Sequence, residues 1–178
     1  MSVYICRTGE GKNNNYKNSV SMRVSNNKNA IWAINSMTCS GAAAFSKRLF
    51  KTLLENVKTN KTYIMFLSPK SSGGKIVGFG EVQSISQREL GELISISATN
   101  EENGWHVDGE WDYEITFTNE FYDTTNLPEE FLGLAKLKDF QHISQSSLTY
   151  ANQNLATYLL HTINIVIMCF NKSIRMNN

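Results

Sequence analysis

A single α+β domain over residues 1–178, with a curved mixed sheet or small open barrel flanked by helices, is the fold this sequence predicts. Three observations predict it. Short runs rich in β-branched and aromatic residues recur along the chain, at Ser2–Arg7, Thr62–Leu67 and Tyr113–Phe117. Helical spacing of apolar residues is confined to a few segments, chiefly Ala42–Val57. Turn residues from Pro69 to Gly74 join two of the strand-like runs as a hairpin. Several strands in mixed order with two helices describe an α+β domain built around such a sheet.

Ser2–Arg7 reads as the opening strand, and Gly9 to Lys28 as an Asn-, Gly- and Lys-rich loop. Ala30–Asn35 is a second, short strand. Phe45, Leu49, Leu53 and Leu54 then recur at helical spacing, with Lys47, Arg48 and Lys51 between them on the outer side. The apolar strand Thr62–Leu67 turns and returns as Lys75–Val82, where Gly78 and Gly80 point to close backbone approach or a bulge. Gln87 to Asn103 is polar. Tyr113–Phe117 alternates apolar and polar residues, and Asn126-Leu127-Pro128 ends that region. Asn152–Thr162 reads as a closing helix, followed by a strand-like Ile163–Phe170.

Composition narrows the function classes. The chain is 41% hydrophobic and 19% charged, as a folded domain is, and its formal net charge of +1 lacks the dense basic surface that long duplexes need. A nucleic-acid site must therefore be local and rely on base contacts as well as phosphates. Asparagine runs at 13–15 and 26–27 suggest an AT-rich genome, viral or protist. Cys6, Cys39 and Cys169 are scattered, which fits small buried hydrophobes in a reducing compartment rather than disulfides or zinc ligands. No signal peptide is legible at Met1–Tyr4, and Leu155–Phe170 is too short and too polar to span a bilayer. An intracellular protein, cytoplasmic or nuclear, is expected. His106, His142 and His161 lack metal-ligand spacing, and the pairs Glu101-Glu102 and Glu129-Glu130 point apart on any element. With no nucleophile, phosphate-loop or acid–base motif, the sequence predicts no catalysis, no cofactor and no metal.

The three tryptophans are the informative residues. Trp32 ends a short strand, whereas Trp105 and Trp111 flank a polar stretch, His106 to Glu110, just before a strand. Large aromatics on a polar loop either anchor that loop by packing or close on a ligand. Position alone leaves both open.

The stretch from Tyr63 to Val82, YIMFLSPKSSGGKIVGFGEV, resembles the hairpin of the YTH domains, PUA-like readers of N6-methyladenosine in RNA. In that family an apolar strand ends in Phe-Ser, a Ser-Gly turn follows, and a glycine-bearing strand returns. Trp105 and Trp111 ahead of Tyr113–Phe117, and Asn126-Leu127-Pro128 beyond, are similar to its cage loop, alternating strand and Leu-Pro. Ile31-Trp32, then Lys47-Arg48-Leu49, resemble its first cage tryptophan and following helix, and Val3–Thr8 its opening strand.

The resemblance implies a fold and a function: a reader of N6-methyladenosine in single-stranded RNA through an aromatic cage of Trp32, Trp105 and Trp111 that share one accessible pocket. It further implies that Ala33, where the family has Ser or Cys, offers backbone groups to the base edge. Asn13, by its offset from the first strand, would bond a ring nitrogen. Arg7, Lys47, Arg48 and Lys70 would contact phosphates. The segment Thr8–Trp32 is longer than the family's, and Asp112, Glu114 and Glu120 stand where basic residues usually line the phosphate path. Two other readings stay open: a viral structural or interaction protein that keeps the fold without a ligand, and an EVE- or ASCH-like reader of another modified base.

Overall fold

The computed structural model describes residues 1–8, 16, 20, 24, 29–34, 47–68, 76–87, 113–124, 149–151 and 153–176. Its elements are β1 (Ser2–Arg7), β2 (Ile31–Ile34), α1 (Lys47–Thr59), β3 (Thr62–Leu67), β4 (Ile76–Gln87), β5 (Tyr113–Asp123), β6 (Thr149–Tyr150) and α2 (Gln153–Met176). The strands form one six-stranded sheet in the order β2-β5-β4-β3-β1-β6.

β1 and β3 run parallel in the middle of this sheet, Cys6 opposite Phe66, and the long connection between them carries β2 and α1. Parallel neighbours need such a crossover, and both faces of the strands are then covered. That explains why SVYICR and TYIMFL are near-continuous apolar runs, buried along almost their whole length. β3 and β4 form the expected antiparallel hairpin, with Phe66 opposite Gly78 and Ile64 opposite Gly80. β4 continues past β3 to pair with β5, and the register slips twice, between Gly80 and Val82 and between Val82 and Ser84. Such irregularities bend a strand and increase its twist.

The bend closes the sheet on itself. In a flat sheet β2 would lie three strand spacings from β3, about 14 Å. The rings of Trp32 on β2 and Phe66 on β3 are nevertheless 5.0 Å apart. The sheet is thus strongly curled, in keeping with the curved sheet or open barrel that the sequence predicts, and its interior holds Tyr4, Cys6, Ile64, Phe66, Val82, Ile115, Phe117 and Trp32. α1 crosses its open side. Leu53 is fully buried there, and Leu49, Phe50 and Val57 pack beside it. Phe50 meets Tyr113 of β5 at 3.9 Å, and Asn56 Nδ2 donates to the Tyr4 hydroxyl of β1 at 2.8 Å.

The outer face of β1, β3 and β4 carries a second core: Val3, Ile5, Met65, Leu67, Ile76 and Phe79 against Ala156, Leu159 and Ile163 of α2. Here the structure corrects the sequence reading. Ile163–Phe170 is not a strand but part of the helix Gln153–Met176. The sheet-facing positions Ala156, Leu159, Leu160, Ile163 and Ile167 keep a spacing of three or four through the proposed boundary. No glycine or proline lies there to end the helix, so packing overrides the β-propensity of the isoleucines. β6, two residues long, was not legible at all.

Candidate nucleic-acid interface

Trp32 sits on β2, a terminal strand, and pairs with Ile115 of β5. Alternation sends it into the barrel, where it is 8% exposed and edge-on to Phe66 at 63°. Its ring lies beside the Cys6 thiol inside the barrel, and that thiol's own hydrogen bond runs to the Arg7 carbonyl at 4.0 Å. Burial pushes the Cys6 thiol up to about 12, only partly offset by the neighbouring Trp32 indole.

Ala33 follows, and its backbone geometry bears on recognition. The Phe117 N–H donates to the Ala30 carbonyl at 3.0 Å. In an antiparallel ladder hydrogen-bonded pairs alternate, so residues 30, 32 and 34 of β2 turn their amides and carbonyls toward β5. Ala33 and Ile31 turn theirs the other way, toward the open edge of the sheet. Among the described residues no strand lies beyond that edge. An edge N–H and C=O beside a tryptophan form a polar pair that can read the rim of a planar heterocycle.

Phe66 is the hub of the aromatic interior. Around it stand Trp32 at 5.0 Å, Tyr16 at 5.1 Å, Phe117 at 5.8 Å and Phe121 at 6.1 Å. Sequence reasoning missed Tyr16 because it lies in an Asn-rich run. A signal was present, since Tyr16, Val20 and Val24 are spaced four apart, one face of a helix, and all three pack in the interior. The glycines of β4 admit these rings. A Cβ at Gly78 would collide with the Tyr16 hydroxyl, and one at Gly80 with the ring of Phe121.

Of the acidic residues of β5, Glu114 and Glu120 do not enter this interior. Tyr113, Ile115 and Phe117 point inward, so Glu114 lies on the opposite face, and Glu120 is exposed. Asp123 accepts a 3.5 Å hydrogen bond from Tyr16. Of the residues expected to touch phosphate, Arg7 is 7% exposed, and its Nη1 donates to the Ser68 carbonyl at 3.0 Å, tying together the ends of β1 and β3. Lys47 and Arg48 belong to α1. Asn13, Lys70, Trp105, Trp111 and Asp112 lie outside the described residues. Among the described residues no three His, Cys, Asp or Glu side chains gather as metal ligands, and no helix is long and apolar enough to cross a membrane.

No family model matches the chain, and no curated protein matches it by sequence. Solved structures do. The crystal structure of the Mmi1 YTH domain is similar with a TM-score of 0.53 at 13% identity, over 94% of this chain and 98% of that one. A complex of the YTH domain-containing protein Mmi1 with RNA gives the same TM-score and identity, over 96% of this chain and 86% of that one. At this identity the likeness establishes architecture: the chain has a YTH-like α+β fold.

Proposed function

We propose that this protein is an RNA-binding reader without catalytic activity, which takes N6-methyladenosine of single-stranded RNA into an aromatic pocket walled by Trp32. The observation that carries the reading is the position of Trp32 in a YTH-like fold: on a strand that is terminal among the described residues, beside an Ala33 backbone turned away from β5. Trp105 and Trp111 supply the other walls in this reading, and Asn13 bonds a ring nitrogen. Lys47, Arg48 and Lys70 contact phosphates. Arg7 joins them only if its enclosed guanidinium opens.

In such a pocket, stacking contributes roughly 1–3 kcal/mol per base. Burying the methyl adds about 0.8 kcal/mol, roughly fourfold in affinity. An Ala33 carbonyl that accepts the single remaining N6–H would orient the base.

The test is a fluorescence-anisotropy titration of two short single-stranded RNAs that differ only in one N6-methyl group. Tighter binding of the methylated strand, by about fourfold or more, is expected. Equal binding would refute base discrimination, and binding of neither would refute the reader. A second reading, an interaction protein that keeps the fold without a ligand, draws on the small exposed fraction of Trp32, 8%. It expects no RNA binding at all.

A further inference from the structure

We propose that Tyr16 is a positioning residue for Trp32, acting through Phe66 from a seat that exists because residue 78 is glycine. The proposal rests on Trp32 being a wall of the base pocket.

The argument starts from the hairpin register. The cross-strand partner of Phe66 on β4 is Gly78, and that of Ile64 is Gly80. Cross-strand side chains ordinarily steady one another. On this hairpin Phe66 has no neighbour from β4, so its ring would stand beside a void. Tyr16, from a distant part of the chain, fills the place over Gly78, while Phe121 fills that over Gly80. Tyr16 is 2% exposed, and its ring lies 5.1 Å from Phe66 at 48°.

The seat is also fixed by polar bonds. The Tyr16 hydroxyl donates to the Val77 carbonyl at 2.9 Å, with Asp123 Oδ1 at 3.5 Å. The same Val77 carbonyl accepts the Thr124 N–H at 2.9 Å, and the Thr124 hydroxyl donates to Ile76 O. Tyr16 is thereby pinned where β4 and β5 meet. Phe66 lies between Tyr16 and Trp32, with both rings about 5 Å away. Interiors are close-packed, so a ring held on one side transmits displacement to the other. If Tyr16 leaves its seat, Phe66 tilts into the vacated space, and Trp32 loses the edge that fixes its indole.

Nuclear magnetic resonance on the full chain tests this, with the indole N–H of Trp32 assigned by its loss in Trp32→Phe. In Gly78→Ala the new methyl collides with the Tyr16 hydroxyl and evicts the ring. The Trp32 resonance should shift, and affinity for the methylated RNA should fall about 5- to 10-fold, a part of what one stacked base contributes. Adding Tyr16→Phe to Gly78→Ala removes the worst of the collision, while the ring tip, with Cζ at 2.9 Å from the new methyl, still has to yield slightly, so the resonance should move part of the way back toward its wild-type position. A merely structural role for Tyr16 would lower the melting temperature without this rescue. A folded Gly78→Ala protein with an unmoved Trp32 signal, or a shift that Tyr16→Phe does not relieve, overturns the proposal. If Gly78→Ala does not fold, Tyr16→Leu vacates the same seat, and an unmoved signal there has the same meaning. The two readings fail separately. A Trp32 signal that follows residue 16 in a protein that binds neither RNA upholds positioning and removes the reader. Discrimination between the RNAs with a Trp32 signal indifferent to residue 16 does the reverse.

Discussion

Trp32→Ala separates packing from recognition, because the structure gives Trp32 a share in both. Its indole is 8% exposed and touches Phe66 edge-on, so truncation empties an interior site. A loss of this kind costs about 3–5 kcal/mol. For a chain of this length each kcal/mol lowers the midpoint by roughly 2–4 °C, so the variant should melt about 6–20 °C below wild type. A tryptophan in a wide-open cage would cost much less. Binding must be measured well below the variant's midpoint, by anisotropy with the methylated RNA. There the missing wall should weaken binding by about 1–3 kcal/mol, roughly 5- to 150-fold. Trp32→Phe keeps a ring against Phe66 and should fall between wild type and Trp32→Ala in both measurements. A melting temperature within about 2 °C of wild type would show that Trp32 does not pack as described. A large thermal loss with unchanged affinity would show that the indole is core and not wall.

Two further outcomes follow from the interior. The Cys6 thiol, pushed up to about 12, stays protonated in the folded chain while the unfolded chain ionises near the ordinary thiol range. Above about pH 8.5 the unfolded state therefore binds fewer protons, and stability falls as pH rises, by at most about 1.4 kcal/mol per unit. Urea melts between about pH 8 and pH 10 should show this slope, and Cys6→Ala should flatten it; identical slopes would contradict the thiol's enclosure. Gly80→Ala would drive a methyl into the Phe121 ring, 3.1 Å from the ring of Phe117 as well, and should cost about 1–3 kcal/mol by thermal melt. A neutral result would mean that β4 and Phe121 are not so closely opposed.

What could be read in advance was what local chemistry dictates. β1 and β3 coincide with apolar, β-branched runs, because strands buried on both faces carry mostly apolar side chains, with the polar residues Ser2, Arg7 and Thr62 at their ends. The hairpin was legible from its turn residues, and Gly78 and Gly80 marked close approach before their partners were known. The tail of α2 was misread because Ile163 to Phe170 alone has the composition of a strand; its helical period appears only when counted from Ala156 onward. The tryptophans were legible as candidates through their number and their polar surroundings.

Residue identity could not say which rings would meet. Phe66, Tyr16 and Trp32 are far apart in the chain and become neighbours only because β4 bends and the sheet closes on itself. Contacts of that kind are set by the register slips and the curvature of the whole sheet, which no local window of sequence contains. The burial of Trp32 has the same origin. Its alternation on β2 fixes which face it takes, but only the curvature of the whole sheet makes that face an interior, shared with Cys6, four strands away in the sheet order.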